Sequence, residues 1–93
     1  MRDLSKMTIK QIAQYISIDW GSKVSPSAQP YLEAMKNIEN LDDMHSGQEN
    51  GAVIVSYFLA NAHQWKGGNA REIKKYLGKL LKDYYADGSI QKI

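Results

Sequence analysis

The residues of this chain with the charge and spacing to do chemistry gather in its last third: Lys66, Arg71, Lys74, Lys75, Lys79 and Lys82. On a helix, Arg71, Lys75, Lys79 and Lys82 fall within about 80° of one another, and Lys74 widens the stripe to about 140°. Cations that share one face reach neighbouring phosphates together, as contact with a nucleic-acid backbone requires. A solvated surface accounts for the same pattern, because an amphipathic helix must turn something polar outward and lysine is the commonest choice. If nucleic acid binds, the predicted contact is nonspecific, because lysine is a point charge without the planar fork that reads bases. Residues 63–68 connect two predicted helices at about the length of a helix-turn-helix, yet only Asn69 and Arg71 at the start of the second are of base-reading type.

The glycine pair Gly67-Gly68 is a second candidate. Glycines ahead of a helix expose backbone N–H groups, where the helix dipole favours an anion, and Lys66 and Arg71 add charge. The N-x-x-E pattern of Asn69 and Glu72 competes with this, since it reads as a helix cap and makes the pair a tight turn. Catalytic chemistry has less to stand on. The chain has two histidines and no cysteine, which removes disulfides, thiolate metal sites and cysteine nucleophiles. His63 reads as a capping or partly buried residue near a helix end. His45 beside Asp42 and Asp43 reads as solvated loop in preference to a metal site. No nucleophile elbow, P-loop, H-E-x-x-H or dinucleotide fingerprint is present. A non-enzymatic protein with no catalytic residue, cofactor or metal is therefore expected.

Nine aromatic residues, six of them tyrosine, offer another kind of contact. Tyrosine and tryptophan are enriched at protein interfaces, where one end of the ring stays wet, and they also fill the cores of small domains. Trp65 is expected to be a core anchor that locks the turn. Tyr76, Tyr84 and Tyr85 flank the apolar side of the last helix and are the candidates for a protein interface. A protein partner and self-association are both open.

Four helices must position these residues, at about 9–19, 28–40, 48–63 and 70–86. Thr8 and Gln11 form a capping box, with Met7 and Ile12 at the staple positions, ahead of an apolar face of Ile9, Ile12, Ala13 and Ile16. Gly21 is the expected stop. Ser27 is the expected cap of the second helix, which places Pro30 in the first turn, where its missing N–H costs nothing. Leu32, Met35 and Ile38 make its inner face, and Leu41 follows. Ser46 and Glu49 form a further S-x-x-E box, so the third helix is expected to start before the run from Ala52 to Ala62. That run is apolar almost all round, the pattern of a central helix, although its Val-Ile-Val triplet also suits a strand. Ile73, Leu77, Leu80, Leu81 and Tyr84 form the clearest amphipathic stripe. Gly78 within that helix suggests close packing or a bend.

Size and composition fit this all-α reading of a single domain over 1–93, with 1–7 and 88–93 frayed. Chains this short bury roughly 60–65% of their unfolded surface, enough for one core. An apolar fraction of 43% and a charged fraction of 24% are those of an ordinary globular protein. No stretch approaches the roughly 20 apolar residues that cross a membrane, and the polar N-terminus lacks the apolar centre of a signal peptide, so a cytoplasmic protein without membrane contact is expected. The net charge of +2 is unevenly spread. Residues 1–65 hold five cations against seven carboxylates, net −2, and residues 66–93 hold seven against three, net +4. That asymmetry suits an anionic partner, or pairing of one end of the molecule with the other end of a neighbour.

Over residues 55–77 the chain resembles a group of small uncharacterised helical proteins of bacteriophage and prophage genomes. The resemblance rests on Tyr57, Phe58, Leu59, Asn61 and Ala62, then Trp65 and Gly67, then Ala70, Arg71, Ile73, Lys74 and Leu77. It covers about a quarter of the chain and implies no activity. It implies an accessory protein, phage or prophage in origin, acting through an interaction. The expected function is thus that of a small cytoplasmic interaction protein. Its alternative is nonspecific nucleic-acid binding by the basic face of the last helix.

Overall fold

A computed structural model of the chain describes residues 3–41, 44–45 and 49–86. Four helices carry the fold: α1 (Ile9–Trp20), α2 (Gln29–Met35), α3 (Gly51–Ala60) and α4 (Gly68–Ala86). The chain is all-α, as its periodicity predicts. One minimal β pair interrupts the polar connection before α3. In it β1 (Met44–His45) lies antiparallel to β2 (Glu49–Asn50), with Met44 opposite Asn50. The second helix packs against both α1 and α3, and α3 packs against both α2 and α4.

Local chemistry explains where each helix starts and stops. Thr8 Oγ1 accepts from the Gln11 backbone N–H at 3.1 Å, and Gln11 Oε1 accepts from the Thr8 N–H at 2.9 Å, completing the capping box. Gly21 ends α1 at a φ of 65°, a conformation that favours glycine. Asp3 caps a 3-10 turn, Leu4–Lys6, that buries Leu4 in the core, so residues 4–6 are built into the fold where fraying was expected. The expected frayed segment 88–93 lies outside the described residues.

Three helices have boundaries that differ from the sequence reading. The second helix is not capped by Ser27: Ala28 takes the cap position with no side-chain bond, while the Ser25 carbonyl accepts from the N–H groups of Ala28 and Gln29. Pro30 does lie in the first turn. The helix stops at Met35 rather than near residue 40, because the amides of Asn37 and Ile38 reach back only three residues and Asn37 Nδ2 takes the Glu33 carbonyl. Ile38 and Leu41 are nevertheless buried. The third helix starts at Gly51 rather than 48, because Asn50 Oδ1 accepts from the Val53 N–H and supplies the cap; Ser46 lies outside the described residues. It ends at Ala60 rather than 63, with Asn61 at its C-cap and Asn61 Nδ2 on the Tyr57 carbonyl. The last helix begins at Gly68, two residues earlier than expected.

The core gathers Ile12, Ile16, Leu32, Met35, Ile38, Ile54, Val55, Phe58, Ile73 and Leu77. Gly51 is needed where α3 crosses the chain after α2: a Cβ there would sit 2.7 Å from the Asn40 carbonyl oxygen and 2.9 Å from Ile38 Cδ1. Gly78 has no such role. A Cβ there would meet nothing within 4 Å, so neither close packing nor crowding explains that glycine.

Candidate functional site

The site is built on α4 and the elbow that precedes it. Ile73, Leu77 and Leu81 fix the inner face of α4 in the core, and this sets the phase of every other residue on the helix. Arg71, Lys75, Lys79 and Lys82 consequently all stand exposed on one outer stripe. Lys79 pairs with Asp83 one turn on, at 3.1 Å. Such an exposed pair is screened and weak. Arg71, Lys75 and Lys82 form no ion pair with any described residue.

Lys74 departs from the expected stripe. It is half-buried, its amine donates to the Trp65 carbonyl at 2.6 Å, and Nζ stands 5.8 Å from the centroid of the Trp65 ring. Burial, and then the neighbouring charge of Lys66, holds this amine below its ordinary pKa of 10.5. Lys74 thus braces the elbow with one of its three N–H donors and faces the elbow, not the outer stripe.

The elbow is fastened from several sides. Trp65, only 2% exposed, stacks on Trp20 with centroids 5.8 Å apart and tilts against Phe58 at 6.4 Å. Its indole N–H donates to Asp19 Oδ2 at 2.9 Å, satisfying a polar atom that burial would otherwise leave without water. The other oxygen of Asp19 accepts from Asn69 Nδ2 at 3.0 Å. Asn69 thus ties the first turn of α4 to the end of α1. It stands inside the first turn, and the Gly67 carbonyl accepts from the Arg71 N–H. Gly67 has a φ of 113°, so it is the glycine the turn requires, while a Cβ at Gly68 would meet nothing within 4 Å. Trp65 is the anchor that its sequence context predicts.

A cleft of about 350 Å³ opens on the outer side of this elbow, lined by His63, Trp65, Lys66, Gly67, Arg71 and Lys74, with Ala70 at its floor. His63 is exposed there rather than buried or capping α3. The fold thus brings Lys66, Arg71 and Lys74 together, and leaves Lys75, Lys79 and Lys82 further along the helix.

Two of the interface tyrosines lie away from the elbow cleft. Tyr76 and Tyr84 are half-buried and line a groove of about 400 Å³ with Met7, Ile9, Leu41 and Leu80, rimmed by Glu39 and Asp83. The Tyr84 hydroxyl accepts from Asn50 Nδ2 at 3.3 Å, which ties it to the cap of α3. Tyr85 packs edge-on against Tyr84 at 5.4 Å. Among the described residues no group of three or more His, Cys, Asp or Glu side chains is placed to hold a metal ion. Asp42 and Asp43 lie outside the described residues. No helix of the described residues is long and apolar enough to cross a membrane.

No known family model, curated protein or solved structure matches this chain.

The features that sequence reasoning missed are the Asp19 clasp and the inward turn of Lys74. Asp19 lies 46 residues from Trp65 and 50 from Asn69, so no local pattern announces it. The proximity of Lys74 to Trp65 depends on the path of the glycine turn.

Proposed function

We propose that this chain is a small, non-enzymatic interaction protein whose partner is nucleic acid, held by its phosphate backbone without regard to sequence. The observation that carries the reading is the outer stripe of α4, where Arg71, Lys75 and Lys82 stand exposed and unpaired with described residues beside the weakly paired Lys79. From Arg71 to Lys82 the helix rises about 16 Å. That length spans several phosphates of one strand, which follow each other at about 3.4 Å of rise in a duplex. A cytoplasmic setting belongs to the same proposal. So does a phage or prophage origin, which the resemblance of residues 55–77 supports. The test is binding of single-stranded and duplex DNA at about 50 mM salt, where backbone contacts are strong. Wild type should bind both regardless of sequence, and the triple variant Lys75→Glu/Lys79→Glu/Lys82→Glu should not. Failure of wild type to bind either form ends the proposal.

The groove beneath Tyr76 and Tyr84 favours a second reading, a protein partner or second copy that inserts an apolar side chain there. Molecular mass measured across protein concentration tests the second copy: a strict monomer excludes it.

A further inference from the structure

The cationic groups of α4 are arranged in two ways. Along the outer stripe they are spread out, about one per turn. At the elbow Lys66, Arg71 and Lys74 converge on one cleft with the imidazole of His63, and Arg71 belongs to both arrangements. Among the described residues no carboxylate lines the cleft. Asp19, which lines the neighbouring hollow with Trp65 and Lys66, has its two oxygens engaged by the Trp65 indole and Asn69. Burial first, and then the nearby charge of Lys66, disfavours the charged form of Lys74. An anion in the cleft offsets the Lys66 part of that effect.

We infer that the cleft receives a phosphate monoester, the phosphorylated end of a nucleic-acid strand whose backbone lies along the outer stripe. The inference rests on the nucleic-acid reading above and adds to it a phosphorylated strand end. A monoester carries close to two negative charges at neutral pH, whereas each backbone phosphate carries one. Three cations at one point match the first, and single cations spaced along a helix match the second. Because the cleft opens at the start of α4 and shares Arg71 with the stripe, a strand running along Lys82, Lys79 and Lys75 delivers its terminus there. The wall of the cleft is the rigid elbow of Trp65, clasped by Asp19 and stacked on Trp20, so the site needs little ordering on binding.

The experiment compares three single strands of about ten nucleotides, a length within the usual site size of such proteins. One carries a 5′-phosphate, one a 3′-phosphate and one hydroxyls at both ends. Affinities are read by anisotropy of a dye at an internal base. One phosphorylated strand should bind about tenfold tighter than the hydroxyl-ended strand, the worth of one charge-assisted contact. Lys66→Ala, at an exposed position, should erase that difference. Lys75→Ala/Lys79→Ala should weaken all three strands and preserve it. Equal affinity for all three strands, or a difference that survives Lys66→Ala, overturns the end-binding inference and leaves the stripe standing. Absence of binding by every strand at about 50 mM salt overturns the nucleic-acid reading, and this inference with it.

Discussion

Lys74 and Lys75 are adjacent in the chain and do opposite work. The amine of Lys74 turns back over the Trp65 ring and donates to the Trp65 carbonyl, whereas Lys75, one residue and about 100° further round the helix, stands in solvent with no ion pair among the described residues. The same contrast holds between the two regions they represent. The elbow from residue 61 to 69 is fixed by stacked indoles, a shared carboxylate and a left-handed glycine. The outer face of α4 is fixed by nothing but its phase. Lys74 braces a turn as well as lining the cleft, so its loss is read in stability first, whereas Lys75 is read in binding alone. Composition does not separate the two; position relative to the core does.

The sharpest way to break this contrast is at the elbow. Trp65→Ala removes the largest fully buried side chain and should cost about 3–5 kcal/mol in denaturant unfolding, with the loss of any binding following from the loss of fold. A cost below about 1 kcal/mol, the range of ordinary surface changes, contradicts the anchor. Asp19→Ala leaves the buried indole N–H without its acceptor and should cost about 1–3 kcal/mol. Asp19→Asn keeps an acceptor and should recover part of that loss.

A smaller effect separates the two lysines by pH. Because the folded state holds the Lys74 amine below its ordinary pKa of 10.5, the unfolded chain binds the proton more tightly. Stability attributable to Lys74 therefore rises with pH through the range just below 10.5 and is lowest where both states are protonated. Lys74→Met should remove that rise from the unfolding free energy measured between neutral pH and pH 10.5, and Lys75→Met should leave it in place. Identical pH slopes for the two variants contradict the division of labour.

Much of this architecture is legible in the residues, and the illegible parts have a common cause. Thr8 with Gln11 and the spacing of Ile73, Leu77 and Leu81 act within a turn or two, so pattern alone reveals them. The end of α2 is misread because Asn37 turns its amide onto the Glu33 carbonyl, a choice that helix propensity does not encode. The Asn69 side chain also reaches Asp19 on another helix, a contact that no local pattern contains. In the candidate site, the stripe of Arg71, Lys75, Lys79 and Lys82 follows from helical period, while the convergence of Lys66, Arg71 and Lys74 depends on a glycine turn whose path only the folded chain defines. Tyr84 is similarly committed, in part, to Asn50.

The central claim is that the outer face of α4 is a phosphate-binding surface, and the most direct measurement is the salt dependence of its binding to single-stranded DNA. With three to four cations engaged, the logarithm of the association constant should fall linearly with the logarithm of salt concentration, with a slope of about −2 to −3. Each single substitution among Lys75, Lys79 and Lys82 to alanine should reduce that slope by about one contact's share. A slope near zero, or one unchanged by all three substitutions, contradicts the claim.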